Sequence, residues 1–291
     1  MRRWVRRLGL AISGFVGAVL SLLAALWIIS YVRQQRTYTI VIPPLAISAD
    51  SATVERGRHL VTTVGFCTDC HDADLGGKVL ADRLITGRLA AANLTRGTGG
   101  LGAQYTDEDL VRAIRHGVGR DGKSLIFMPA QAFQHMSDAD LAAMIAYLHV
   151  LPPVERTLPR PRLGPLFRVM HIFGFPLLPA EHVDHQATAV PITPSVSIAY
   201  GAYLASVSGC SSCHGPKLAG DEGPGPNITS GAIGSWTEAD FRRALREGKR
   251  PDGSVLRPPM PWPTFSHMTD DETAALWLYE RSVPAVVPKT K

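Results

Sequence analysis

At 291 residues the chain has room for one large domain or two small ones. With 45% hydrophobic and 19% charged residues it is too apolar for a disordered protein. The formal charge of +5 belongs to the first 36 residues, which hold six arginines and no acid; the remaining 24 basic and 25 acidic residues give no basic field for nucleic acid.

Leu8 to Val32 is a run of 25 residues without a charge. That is long enough to cross a bilayer core as a helix. A secretory signal has a shorter apolar core and a small-residue cleavage site, whereas here Leu22 to Ile29 continues without one. The expectation is an uncleaved anchor over residues 1–36. Arg2, Arg3, Arg6 and Arg7 precede the span, and only Arg33 and Arg36 follow it closely. The N-terminus is then cytoplasmic and everything after residue 36 lies across the membrane. In a bacterium this is a single-pass inner-membrane protein with its bulk in the periplasm.

The rest of the chain reads twice. Val54, Gly57 and Leu60 are matched by Ile198, Gly201 and Leu204, apolar or small positions three apart that suggest a helix face. Each set precedes a Cys-x-x-Cys-His: Cys67, Cys70 and His71, then Cys210, Cys213 and His214. Asn93-Leu94-Thr95 is matched by Asn227-Ile228-Thr229 in a Gly-rich loop. Thr106 with Asp109, and Thr237 with Asp240, have the spacing of a helix-start capping box. Asp121-Gly122 and Asp252-Gly253 are turn signals. Met128-Pro129 precedes Phe133, His135, Met136 and Ser137; Met260-Pro261 precedes Phe265, His267, Met268 and Thr269 at the same spacing. Ser137 and Thr269 read as caps of a last helix. In the first copy Leu141, Met144, Ile145 and Leu148 form the buried stripe of that helix. Two mainly helical units follow, over 50–151 and 195–285. Each is too short to build a large core from its own side chains. Between them, residues 152–194 form a Pro-rich segment expected to pack between the domains.

Each Cys-x-x-Cys-His is the recognised sign of c-type haem attachment, with thioethers from both cysteines and iron ligation by the histidine. A thioredoxin-like reading needs a nearby β-α-β pattern, which is absent. A zinc ribbon brings its cysteine pairs closer than the 143 residues that separate Cys67 from Cys210. The implied cofactors are two covalently bound haem c groups. Three matched pairs compete for the opposite face of the iron: Met128/Met260, His135/His267 and Met136/Met268. A hydrophobic staple accounts for Met136 and Met268, and surface positions for the histidines. Met128 and Met260 sit before proline in a loop with no helix to pack into, which favours them. His59 and His116 face Tyr203 and Glu247 in the other copy, which argues against a shared ligand role.

On these motifs the chain resembles tandem dihaem class I cytochromes c. It is similar to the cytochrome c subunits of membrane-bound bacterial dehydrogenases. The resemblance covers residues 50–150 and 195–285 and implies a mainly α fold, two tandem class I cytochrome c domains after an N-terminal transmembrane helix. It implies Met128 and Met260 as distal ligands, and close helix contacts of Gly57 with Tyr147 and of Gly201 with Tyr279. Those subunits commonly carry three haem motifs, whereas this chain carries two. The expected role is that of an electron carrier, not an enzyme. It would take electrons from a dehydrogenase or quinol donor and pass them to an oxidase or soluble cytochrome. The alternative is a dihaem peroxidase-like oxidoreductase with one open iron site.

Overall fold

A computed structural model describes residues 2–220 and 223–286 of the chain. Helix α1 (Arg2–Gln35) is continuous and contains a stretch of mean hydropathy 2.3 that is long enough to span a bilayer. The first unit follows. Helix α2 (Ser51–His59) runs on through a π-helical turn over Leu60–Val64, and α3 (Cys67–His71) holds the first motif. A hairpin of β1 (Lys78–Arg83) and β2 (Gly87–Ala91) comes next, then α4 (Asp107–His116), α5 (Ala130–Phe133) and α6 (Asp138–His149). The Pro-rich segment contributes β3 (Arg162–Leu163) and α7 (Pro165–Ile172). The second unit comprises α8 (Ile198–Val207), α9 (Cys210–His214), α10 (Ser230–Ile233), α11 (Glu238–Glu247), α12 (Trp262–Phe265) and α13 (Asp270–Ser282).

Local signals explain most of the helix ends. Thr106 with Asp109 and Thr237 with Asp240 form reciprocal capping boxes at α4 and α11, so both satisfy N–H groups that the helix leaves unpaired. Thr269 and Glu272 do the same at α13. Ser137 caps α6 through the Asp140 N–H, but Asp140 does not reach back. Its carboxylate is taken up by Arg56 and Tyr203 instead. The apolar stripe Leu141, Met144, Ile145 and Leu148 is buried as the periodicity predicts.

In each unit the first and last helices cross at a glycine. A Cβ on Gly57 would lie 1.8 Å from the Ala143 carbonyl oxygen and 2.9 Å from the Tyr147 Cβ; on Gly201 the distances are 2.0 Å to the Ala275 oxygen and 2.8 Å to the Tyr279 Cβ. Only a residue without a side chain lets the backbones approach so closely.

The three-stranded antiparallel sheet, in order β1-β2-β3, was not legible from the repeat. Its third strand comes from the Pro-rich segment, whose contacts differ from expectation. Val154 to Val190 makes its hydrogen bonds with the first unit and with α1: Val154 with Asn93 and Thr95, Gly164 with Thr86, Ala180 with Ser124, Asp184 with Gln134 and Val190 with His135. The unpaired edge of β2 and the polar Asn93–Thr95 loop offer backbone partners that an interface between two helical units does not.

The two units instead pack directly on each other and share one contiguous apolar cluster, from Leu60 and Met144 to Tyr200 and Leu276. Arg56 lies at the centre of the polar part of this contact. Its guanidinium grips Asp140 at 3.0 and 3.1 Å, reaches Glu272 at 3.4 Å and donates to the Tyr200 hydroxyl at 3.2 Å. Glu272 also pairs with His59 at 2.8 Å, and the Tyr203 hydroxyl donates to Asp140 at 2.7 Å. Burial pushes the Glu272 carboxyl up, but the His59 contact, the Thr269 N–H and the Arg56 charge bring it below the ordinary range. Thus the His59 ring is taken up by its hydrogen bond to Glu272 across the two units. His116 is buried against His185, and burial first, then the charge of His185, lowers it to about 4.

Candidate haem-binding sites

Each Cys-x-x-Cys-His forms a single short helix set between two residues of positive φ. Phe66 (40°) and Asp72 (70°) bracket α3; Gly209 (65°) and Gly215 (79°) bracket α9. The second site uses glycine where this backbone is unstrained, whereas the first carries side chains there at a cost of roughly 1–3 kcal/mol each. The isolated turn places both cysteines and the histidine on one short rigid element. No disulfide joins the four cysteines, within or between the pairs.

The histidines are oriented in the same way. The Nδ1–H of His71 donates to the Ala92 carbonyl at 2.8 Å, and that of His214 to the Pro226 carbonyl at 2.7 Å. With Nδ1 protonated, Nε2 carries the lone pair, which is the arrangement of a metal-ligating imidazole held by an outer hydrogen bond. Burial lowers the affinity of His71 for a second proton, which keeps that lone pair available.

The first cysteine of each pair is partly buried, and that burial pushes the Cys67 and Cys210 thiols up to about 12. Redox-active Cys-x-x-Cys pairs have lowered thiol pKa values, so this environment does not activate a thiolate for disulfide exchange.

A loop behind each histidine is fastened by one duplicated clasp. Asn93 Oδ1 accepts from the Thr95 N–H (2.9 Å) and hydroxyl (2.8 Å), while its Nδ2 donates to the Val154 carbonyl at 2.7 Å. Asn227 Oδ1 accepts from the Thr229 N–H and hydroxyl, both at 2.8 Å, and its Nδ2 donates to the Val286 carbonyl at 2.7 Å. The N–H groups of Val154 and Val286 return to Thr95 and Thr229 at 2.9 and 3.1 Å. The Asn-x-Thr repeat was legible; the two valines were not, because they lie beyond the last helix of each unit in sequence with no shared pattern.

The competing distal positions separate by burial. Met136 and Met268 are 1% and 2% exposed and fill the core, and their carbonyls accept hydrogen bonds from Arg115 and Arg246. His135 and His267 are exposed. Met128 and Met260 are half-buried against the core cluster, each one residue before the Pro that opens α5 or α12.

The two motifs are neighbours, which the sequence did not reveal. Phe66 stacks edge-on against Phe265 with ring centroids 5.9 Å apart, and a Cβ on Gly209 would lie 3.5 Å from the Phe66 ring. Asp69, inside the first motif, accepts a hydrogen bond from the Thr264 hydroxyl at 2.6 Å. The first motif therefore touches both the start of the second motif and the helix that follows Met260.

Glu280 was also missed. It is 2% exposed beside Cys210, its Oε2 has no hydrogen-bond partner, and burial raises it to about 8. The repeat places it opposite Leu148, so an acid on an apolar stripe was the available signal.

The donor set of each unit fits a haem c. Two unbridged cysteines and an oriented imidazole share one turn, and a thioether side chain is left over from core packing. Together with the helical architecture this defines a c-type cytochrome. Comparison with known families gives the same result. Residues 52–148 match the model of the cytochrome c oxidase, cbb3-type, subunit III family, and residues 198–283 match that of cytochrome c. The chain thus carries two cytochrome c domains in tandem, with two covalently bound haem c groups. It is 29% identical to the fructose dehydrogenase cytochrome subunit of Gluconobacter japonicus, over 83% of this chain and 55% of that protein. It is 28% identical to the gluconate 2-dehydrogenase cytochrome c subunit of Pantoea cypripedii, over 81% of this chain and 61% of the relative. A diheme cytochrome c-type protein of Cereibacter sphaeroides is 27% identical over 96% of this chain and 97% of its own length. The chain thus spans little more than half the length of those two dehydrogenase subunits.

Proposed function

We propose that the protein is a membrane-anchored carrier that accepts electrons from a dehydrogenase or quinol and delivers them to an oxidase or soluble cytochrome. In this reading α1 crosses the bacterial inner membrane once and residues 50–151 and 195–285 are periplasmic cytochrome domains. Cys67 and Cys70 hold the first haem and Cys210 and Cys213 the second. His71 and Met128 would hold the first iron, and His214 and Met260 the second. Each haem supplies a one-electron iron couple when bound.

The observation that carries the reading is the duplicated His Nδ1–H to carbonyl bond within a helical Cys-x-x-Cys-His turn. It holds each imidazole in one tautomer, so a change of charge at the site is met by a ligand that does not reorient. A methionine thioether together with histidine would raise the potential, which suits delivery to a high-potential acceptor. The contact of Phe66 and Asp69 with Phe265 and Thr264 supports electron exchange within the chain. Similarity to dehydrogenase cytochrome subunits supports a dehydrogenase donor.

The test is carbon monoxide binding to the reduced holoprotein, with Met128→Leu and Met260→Leu as references. The expected result is negligible binding in the wild type and binding at one haem in each variant, with loss of that haem's sulfur-to-iron charge-transfer band. Full, rapid binding at one haem of the wild type would overturn the carrier reading and support an open-site oxidoreductase.

A further inference from the structure

Helix α7 is fastened alongside the exit end of α1. Arg168 lies over the Trp27 ring with its guanidinium carbon 4.0 Å from the ring centroid, and it donates to the Ser30 hydroxyl. The His171 ring meets the same hydroxyl at 2.9 Å. Arg33 donates to the carbonyls of His171 and Ile172 at 3.0 and 3.3 Å and pairs with Glu181. Contacts advance in the same sense along both helices, from Arg168 at Trp27 to Ile172 at Arg33. The start of α7 therefore points back toward the middle of α1.

That start is joined to the tip of the β1–β2 hairpin. The Leu166 N–H donates to the Ile85 carbonyl at 3.0 Å and the Gly164 N–H to the Thr86 carbonyl at 2.9 Å. Leu84 is 86% exposed and Ile85 62%, and Leu166 is exposed beside them. Three large aliphatic side chains thus stand together at the surface, Leu84 nearly bare and Ile85 and Leu166 about half exposed. Trp27 lies five residues inside the Val32 end of the uncharged run, or roughly 7–8 Å along a helix. Leu166 precedes Arg168 and so sits at that depth or deeper. Surface-lying apolar elements enter a bilayer to about 5–10 Å. Arg83 and Arg160 flank this region, exposed and with no carboxylate partner among the described residues.

We infer that the hairpin tip and the start of α7 form a second membrane contact, in which Leu84, Ile85 and Leu166 enter the headgroup–acyl boundary of the bilayer that α1 crosses. The inference rests on the reading of α1 as a membrane span. Its consequence is orientation: a single helix would leave the haem domains free to swing, whereas this platform holds the first domain against the lipid.

Haem attachment consumes all four native thiols, so an introduced cysteine is the sole thiol of the holoprotein. Full-length Leu84→Cys, Val255→Cys and Leu20→Cys proteins, each with an unchanged haem spectrum, are placed in phosphatidylethanolamine–phosphatidylglycerol vesicles. They are then treated with a membrane-impermeant maleimide, and modification is followed by mass spectrometry. Val255 is 55% exposed in the second unit and reports water on the same side. Leu84, more exposed than Val255 in the protein alone, should react at least about tenfold more slowly in the bilayer, because thiolate formation is suppressed there. Leu20→Cys should be unreactive. Equal rates at Leu84 and Val255 with an unreactive Leu20 would overturn the platform and leave the span intact. A Leu20 as reactive as Val255 would remove the span, and the platform with it.

Discussion

Replacing Gly57 by alanine adds one methyl group where two helix backbones touch. The new Cβ would lie 1.8 Å from the Ala143 oxygen, against the 3.4 Å at which ordinary contact begins, so α2 and α6 must separate by about 1.6 Å. At Gly201 the distance is 2.0 Å and the required separation about 1.4 Å. Intrinsic propensity works the other way, since alanine in a helix interior is about 1 kcal/mol better than glycine. A retreat of this size is more than the 0.5–1 Å gap that already forfeits a quarter to a half of each dispersion contact. Overpacking of a formed core typically costs about 1–3 kcal/mol, and here the obstacle is a backbone carbonyl that cannot rotate away. With the cost at the upper end of that range and the propensity gain set against it, the net expectation is a loss of about 2 kcal/mol in each variant. Guanidinium denaturation of the holoprotein, followed by circular dichroism and the Soret band, measures it. A variant about 1 kcal/mol more stable than wild type would mean that propensity alone operates, and would refute the close crossing.

Glu272→Gln keeps the shape of the side chain but removes the charge that Arg56 and His59 face, and should cost roughly 2–3 kcal/mol in denaturation of the holoprotein. A change below about 0.5 kcal/mol would show that the polar contact between the units contributes little. Glu280 binds a proton more tightly in the folded protein, at about 8, than its ordinary value of 4.5. Its contribution is therefore absent below pH 4.5, becomes increasingly destabilising as the pH rises to 8, and is constant above that, with a ceiling of about 5 kcal/mol. Glu280→Gln should flatten the stability profile in this window and stabilise the protein at pH 9; parallel profiles would show that Glu280 is not buried as a neutral acid.

The sequence by itself determined the chemistry and most of the helical frame. Cys-x-x-Cys-His needs only five consecutive residues, and caps such as Thr106–Asp109 act across three, so both are complete within a short window. The family resemblance added long-range information, because it implies the contacts of Gly57 with Tyr147 and of Gly201 with Tyr279 at which the helices cross. Tertiary structure alone decided what joins distant segments. Asp140 leaves its own capping box because Arg56 and Tyr203 approach from elsewhere. Val154 and Val286 close the Asn-Thr clasps through backbone groups, which every residue carries and no pattern marks. The Pro-rich segment supplies β3 because β2 has a free edge. Burial, which depends on all the neighbours at once, places Met136 and Met268 in the core and leaves Met128 and Met260 half-buried.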